Sequence, residues 1–229
     1  MLLFSLLSVA IAPGLSLLTY LYLRDKYDAE PVHIVVKMFV MGIIILIPIM
    51  VIQRGLQLWA ADLPWIVSYI ESAGVEEFFK WFILYHFIFN HVEFDEPYDG
   101  ILYAAAISLG FATMENILYA IFTPVSFSMM FTRALLPVAG HAIFGILMGY
   151  YLGKAKFSKR RKYYLFISIS VPVLLHGTYD LILLSLPATW IWYLLPFMIF
   201  IWIWGLRKME RAHARSPFKL YIKEDEVNY

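Results

Sequence analysis

Acidic, basic and imidazole side chains lie inside long apolar stretches of this sequence. Two carboxylates, Glu76 and Glu77, precede Lys80 within one such stretch. On a helix, Glu76 and Lys80 are four residues apart and Glu77 and Lys80 are three apart, so both pairs share a face. Lys80 can then neutralise one carboxylate while the other takes up a proton. Two carboxyls held in unlike states supply a general base and a general acid.

Imidazoles occur in two further apolar stretches. His176 and Asp180 are four residues apart, so the carboxylate can accept from one ring nitrogen and direct the other nitrogen towards a site. His141 lies in the stretch before them, and Glu115 with Asn116 in the one before that. Each feature also has a structural interpretation: a buried ion pair for Glu76 and Lys80, or a helix-to-helix hydrogen bond for His141. Glu71 lies near the end of its stretch, and we expect it to be solvated.

Composition shows what must position these groups. Of 229 residues, 62% are hydrophobic and 15% are charged, whereas soluble domains are about one quarter charged. A helix needs about 20 apolar residues to cross a bilayer, and seven blocks approach or exceed that length. They are Leu2–Leu23, Ile34–Ile52, Ile66–Asn90, Ile101–Thr123, Thr132–Gly153, Tyr164–Leu186 and Trp190–Leu206. The sequence therefore predicts an all-α polytopic membrane protein with about seven transmembrane helices. Because the chain has no cysteine, thiol chemistry is excluded.

The basic residues predict an orientation. If the loops alternate sides, fourteen of the eighteen Lys and Arg residues fall on one side, and only Arg54 and Arg133 on the other. The fourteen are Arg24, Lys26, Lys154, Lys156, Lys159, Arg160, Arg161, Lys162, Arg207, Lys208, Arg211, Arg215, Lys219 and Lys223. The positive-inside rule then places the N-terminus outside and the C-terminus in the cytoplasm. We predict a transmembrane domain over 1–206 and a polar cytoplasmic tail over 207–229. The basic run at 159–162 is explained by topology, so we expect no nucleic-acid partner.

Depth along the helices predicts that the polar groups meet. An unpaired charge at mid-bilayer costs on the order of 2.5–3.5 kcal/mol even on a lenient insertion scale, so these groups must face one another or a wet cavity. At about 1.5 Å per residue, they lie roughly 9 to 17 Å from the outer ends of four blocks. We therefore predict that they form one polar layer, slightly towards the outer leaflet.

The residues in this layer restrict the chemistry. A Gly-x-Ser-Gly stretch, a His-Glu-x-x-His motif and a second aspartate after a Gly-x-Gly turn are all absent from the sequence. Glu and His remain, which suffice to activate water and to donate a proton to a leaving amine. Two histidines with several carboxylates could also bind zinc, so the cofactor stays open. A proton- or ion-coupled transporter using buried carboxylates is the alternative, although no repeated halves are evident. A retinal receptor is disfavoured because the last block contains no lysine.

Five motifs in sequence order resemble those of the PrsW membrane proteases. They are Tyr27-Asp28-Ala29-Glu30-Pro31, Glu76-Glu77-Phe78-Phe79-Lys80, a run from Asp99-Gly100 to Gly110 and Glu115-Asn116, Gly140-His141-Ala142, and His176-Gly177-Thr178-Tyr179-Asp180. The resemblance covers nearly the whole chain. The PrsW proteins in turn resemble the CAAX prenyl proteases and bacterial Abi proteins, which have a Glu-Glu pair and two separated histidines. Two residues depart from that CAAX pattern. The pattern has Arg one position after that of Lys80, and Asn at the position of Asp180.

The resemblance implies a multi-pass protease of a bacterial cell membrane. Its implied reaction is first-site cleavage of a single-span anti-sigma factor within the lipid bilayer, which begins the release of an extracytoplasmic-function sigma factor in a stress response. Carried over by residue, Glu76 and Glu77 are the essential pair and Glu76 is the general base. His141 assists it, and His176 with Asp180 stabilises the oxyanion or binds water. Lys80, Glu115 and Asn116 support the site, the last two without a defined role.

Overall fold

The protein is described by a computed structural model that covers residues 2–59 and 62–219. Its helices are α1 (Leu2–Leu23), α2 (Val32–Gln57), α3 (Pro64–Ile66), α4 (Ala73–Phe87), α5 (Pro97–Phe122), α6 (Phe127–Lys156), α7 (Arg161–Ser185) and α8 (Trp190–His213). A π-helix, Val67–Ser72, joins α3 to α4 without a break. Residues 64–87 therefore form one continuous helical segment. With it, the described chain forms seven helical rods, which confirms the predicted all-α fold.

Six of these rods are long and apolar enough to span a membrane: α1, α2, α5, α6, α7 and α8. The seventh, residues 64–87, carries Glu71, Glu76, Glu77 and Lys80. Large apolar side chains are exposed along the outer faces, including Ile44, Val51, Phe166 and Phe200. Soluble monomers rarely expose so much apolar surface. The bundle is therefore built with its apolar outer face towards lipid.

Helix boundaries differ most from the sequence prediction at three ends. Helix α2 runs on to Gln57, α6 begins at Phe127, and α8 continues to His213. The predicted boundary between residues 206 and 207 thus falls within α8, and residues 220–229 of the predicted tail lie outside the described residues. Where α6 begins, the Ser126 side chain caps the helix by accepting a hydrogen bond from the Met129 N–H at 3.2 Å.

Helix α5 lies at the centre of the bundle, between α1, α2 and α6. Glycines permit its close approach to the neighbouring backbones. A Cβ at Gly149 would overlap the backbone of Gly100, and one at Gly110 would overlap the carbonyl of Phe39. Such small-residue contacts are typical of membrane helix packing. They bring α6 and α2 against α5, which places the polar side chains of several helices close together.

Candidate active site

Lys80 lies at the centre of the polar cluster. Its side chain is fully buried, and its Nζ donates to Glu77 Oε1 at 2.7 Å and lies 3.6 Å from Glu76 Oε2. The ammonium also lies 4.2 Å from the centre of the Phe111 ring, a cation–π contact. Helical spacing predicted both carboxylate contacts, and the structure shows that the closer partner is Glu77. The Lys80 ammonium thus carries the positive charge among these carboxylates.

Glu77 also contacts α7. His176 Nδ1 lies 2.9 Å from Glu77 Oε1. The other ring nitrogen, Nε2, is 3.5 Å from Asp180 Oδ2 and 4.0 Å from Glu76 Oε2. The Asp180 contact was predicted from spacing, whereas the Glu77 contact joins two helices and could not be. Carboxylate oxygens therefore face both nitrogens of His176. A neutral ring donates from one of these nitrogens, and both can donate only in the imidazolium form.

Asp180 is itself held by the π-helix. Ser72 Oγ donates to Asp180 Oδ2 at 2.6 Å. Close by, the Tyr69 ring packs against Gly177, where a side chain would collide with it. The wider turn of a π-helix is frequently found at functional sites. It also explains why the expectation of a solvated Glu71 is wrong: Glu71 lies within that turn and is 3% exposed.

His141 links Lys80 to α5. Its Nδ1 lies 3.2 Å from Lys80 Nζ, and its Nε2 lies 3.5 Å from Glu115 Oε2. Because an ammonium only donates, Nδ1 must accept. The proton of neutral His141 is then on Nε2, directed towards Glu115. This contact gives Glu115, for which the sequence suggested no role, a position beside the imidazole.

Arg133 is a member of the cluster that the sequence analysis missed. Its Nη2 donates to Glu115 Oε1 at 2.6 Å, and its guanidinium lies 4.1 Å from the centre of the Tyr119 ring. The sequence prediction placed Arg133 with the outer charges, near the start of a block that begins at Thr132, but α6 begins five residues earlier. A carboxylate such as Glu115 within a membrane span needs a cation nearby, and this requirement could have identified Arg133 from the sequence.

Gln53 is a second missed member. Its Nε2 donates to Glu76 Oε1 at 3.2 Å. The hydropathy block predicted for α2 stops at Ile52, so Gln53 was assigned to a connecting segment. Asn116, which was predicted as a supporting residue, makes no side-chain hydrogen bond to the cluster in the described residues. It is 1% exposed and neither atom of its amide has a hydrogen-bond partner there.

A cavity of about 110 Å³ opens beside these groups. It is lined by Glu76, Glu115, Arg133, His141, His176 and Asp180, together with Ser72, Pro137, Phe144, Tyr179 and Leu183. A groove of about 320 Å³ between α2, α5 and α6 shares Glu76, Glu115 and Arg133 with it. The cavity is polar and large enough for water. Glu76 lines it, whereas Glu77 and Lys80 do not.

The donor set fits a divalent metal ion. One atom each from Glu76, Glu77, His141 and His176 lies within 4.8 Å of the others, and all four side chains are buried. Imidazole and carboxylate are the ligands of catalytic zinc in proteins that lack a thiolate. Glu76 Oε2 and Glu77 Oε2 are both buried without a hydrogen-bond partner in the described structure. With Glu115 and Asp180 the cluster has four carboxyls but only two permanent cations, Lys80 and Arg133, so a dication would balance its charge.

Comparison with known proteins agrees with this geometry. The family model described as PrsW family intramembrane metalloprotease matches residues 30–205. A protein named Protease PrsW from Bacillus subtilis (strain 168) is 50% identical over 214 residues, covering 92% of this chain and 97% of that protein. Proteins of the same name from Geobacillus kaustophilus and Clostridioides difficile are 48% and 33% identical, and cover 91% and 92% of this chain and 92% and 93% of their own lengths. No solved structure matches.

These matches decide between the two functions that the sequence left open, in favour of a peptidase over a transporter. They also agree with the predicted location in a bacterial membrane, which the long apolar helices support. The chain therefore belongs to the PrsW family of intramembrane metalloproteases and is a multi-pass membrane peptidase.

Proposed function

We propose that this protease makes the first cut in a single-span, membrane-anchored anti-sigma factor, on the extracytoplasmic side of the membrane. The shed ectodomain leaves a stub that a second membrane protease must cleave before the sigma factor is released. Family membership supports a substrate within the membrane. The resemblance of the sequence motifs to the PrsW proteases supports the anti-sigma factor.

The depth of the cluster in the membrane is the observation from which we infer the side on which the substrate is cut. Glu115 lies seven residues from the end of α5, and Glu76 lies twelve residues from the start of the 64–87 segment. At about 1.5 Å per residue, these spans are about 10 and 18 Å. Under the orientation predicted from the basic residues, both helix ends face outwards. The mean of these distances, about 14 Å, is slightly less than half of a hydrocarbon core about 30 Å thick. A substrate bond that reaches the cavity is therefore cut slightly to the outer side of the bilayer centre.

Glu76 is the general base in this proposal. Its Oε2 has no hydrogen-bond partner among the described residues, and the side chain lines the cavity. Gln53 holds the other oxygen, which orients the carboxylate. Glu76 takes a proton from a water molecule, the oxygen attacks the peptide carbonyl, and the proton passes to the leaving amine. His176 lines the same cavity beside Glu76, with Asp180 near its Nε2, and positions the water molecule or an ion that binds it.

Glu77 is a positioning residue. Its Oε1 accepts from both Lys80 and His176, and its side chain has no exposed surface. Two histidines and one carboxylate are a known ligand set of catalytic zinc. In this set Glu77, His141 and His176 would hold the ion and leave Glu76 free as the base, and His141 Nδ1 would exchange its hydrogen bond from Lys80 for the ion. A bound divalent ion would polarise the scissile carbonyl and acidify a water molecule.

Purified full-length protein in liposomes, incubated with a single-span anti-sigma factor, tests this proposal. We expect cleavage, with new termini in the extracytoplasmic half of the substrate span. The Glu76→Gln variant should not cleave, whereas Asp62→Asn, which changes an exposed carboxyl outside the cluster, should cleave normally. Termini on the cytoplasmic side would contradict the proposed side, and cysteine labelling of residues 154–163 would show whether the orientation is at fault.

A further inference from the structure

A second group of carboxyl side chains lies at the other end of α5. Asp25 follows α1, Glu96 immediately precedes α5, and Asp99 is in its first turn. One oxygen from each lies within 4.8 Å of the others. Asp99 and Glu115 are sixteen residues apart on one helix, about 24 Å at 1.5 Å per residue. This acidic cluster is therefore separate from the protease cavity.

Several oxygens of these three carboxyls lack a hydrogen-bond partner in the described structure. Glu96 and Asp99 are fully buried. Asp99 Oδ2 caps α5 by accepting from the N–H groups of Asp95 and Glu96 at 2.9 and 2.7 Å, but its Oδ1 has no partner among the described residues. Neither oxygen of Asp25 or of Glu96 makes a hydrogen bond within the usual distance and angle limits. The Asp25 and Glu96 carboxyls face each other, and the Ser216 hydroxyl and the Asp99 N–H lie near Glu96.

Protein cations do not neutralise this cluster. Within residues 2–59 and 62–219, no Lys, Arg or His nitrogen lies within 4.0 Å of the three carboxylates. Arg24, beside Asp25, instead donates to the Tyr20 hydroxyl, and Lys156 donates to the His91 carbonyl at 2.9 Å. Glu30, a fourth buried carboxyl nearby, accepts from Tyr103 and so is satisfied. Buried carboxyls without a protein cation either take up a proton or bind a cation from solution.

We propose that Asp25, Glu96 and Asp99 bind a divalent cation of the Ca²⁺ or Mg²⁺ class. All the donors are carboxylate oxygens, the ligands that these hard ions prefer, and the set includes no imidazole or thiolate to favour a transition metal. In calcium sites the ligand oxygens lie at about 2.3–2.6 Å from the ion, so opposite oxygens are about 4.8 Å apart. The bound ion ties the segment after α1 to the first turn of the central helix. Under the predicted orientation, it does so on the cytoplasmic side.

Equilibrium dialysis of purified full-length protein in detergent against radioactive Ca²⁺, with Mg²⁺ as competitor, tests this site. We expect wild-type protein to bind one ion that Asp25→Asn and Glu96→Gln lose or bind at least about tenfold more weakly. Asp95→Asn removes a neighbouring exposed charge, and Glu76→Gln alters the protease cluster, so both should retain the ion. The effect of Mg²⁺ on bound Ca²⁺ distinguishes the two ions.

Thermal unfolding provides a second measurement. We expect the Asp25→Asn variant to fold, because Asp25 is only half-buried and makes no side-chain hydrogen bond within the usual limits in the described structure. CaCl₂ or MgCl₂ should raise the Tm of wild-type and Asp95→Asn protein but not that of Asp25→Asn. Failure of wild-type protein to bind either ion at millimolar concentration would overturn the proposal. So would equal binding by wild type, Asp25→Asn and Glu96→Gln.

Discussion

Arg133 and Glu115 form an ion pair between α6 and α5, with 2.6 Å between Arg133 Nη2 and Glu115 Oε1. The pair lines the cavity and the groove that leads to it, and the second Glu115 oxygen faces His141. Arg133 therefore orients His141 through Glu115. Groups that hold the ligands of a metal site in this way commonly affect metal affinity or activity by about 10- to 100-fold.

Loss of this ion pair should lower activity more than stability. We expect Arg133→Gln to reduce kcat/KM by about 10-fold or more, with near-normal accumulation, because both side chains are only partly buried. Arg133→Lys should recover part of the loss, since it restores the charge without the paired N–H groups of Arg. Cleavage assays on equal amounts of purified protein measure this. Normal rates for Arg133→Gln would exclude the orienting role.

The two adjacent glutamates should respond differently to substitution. Glu76→Gln should abolish cleavage while the protein accumulates, since glutamine cannot act as a base. Glu77→Gln should abolish cleavage and also lower accumulation, because Glu77 holds both Lys80 and His176. Immunoblots of membranes alongside cleavage assays separate the two effects. Equal accumulation of the variants would contradict the positioning role of Glu77.

Lys80 should matter first for stability. Lys80→Met leaves Glu77 buried without its cation, and breaking a buried ion pair costs about 3–5 kcal/mol. We expect a lower Tm and little membrane-inserted protein. Lys208→Met, which removes a cation from α8, serves as the control. If Lys80→Met accumulates and unfolds like the control, the ion pair contributes little to the fold.

Asp180 and Ser72 should have graded effects on His176. His176→Ala should be inactive, whereas Asp180→Asn should retain partial activity because it preserves the contact but loses the charge. Ser72→Ala should be milder still, since it removes one hydrogen bond of 2.6 Å to Asp180. The order of kcat values is the measurement. An Asp180→Asn variant as inactive as His176→Ala would give Asp180 a direct part in the chemistry.

Metal removal should inactivate the enzyme. We expect a strong chelator to stop cleavage and added Zn²⁺ to restore it, since two histidines and a carboxylate match a catalytic zinc site. Metal analysis of active protein should give one ion at this site. His141→Ala and His176→Ala should each lose it, whereas Asp62→Asn should keep it. Full activity of metal-free protein would mean that Glu76 and the histidines act alone.

Hydropathy and the lengths of the apolar blocks predicted the seven helices, and helical spacing predicted the contacts of Lys80 with Glu76 and Glu77. Those contacts are local, so one helix suffices to derive them. The contact between Glu77 and His176 depends on how two helices pack, which spacing does not contain. Gln53 and Arg133 were missed because hydropathy places helix ends only within a few residues. The π-helix that buries Glu71 has no signature in apolar periodicity.

The glycine contact between α5 and α6 has a consequence for how a substrate enters. Gly100 and Gly149 meet backbone to backbone, so neither helix can slide past the other without a clash of main-chain atoms. These two helices carry Glu115, Arg133 and His141, while Glu76 and His176 belong to α4 and α7. The catalytic groups are thus divided between one closely packed helix pair and its neighbours. The groove that leads to the cavity runs beside this pair, so an incoming peptide can approach Glu76 without separating α5 from α6.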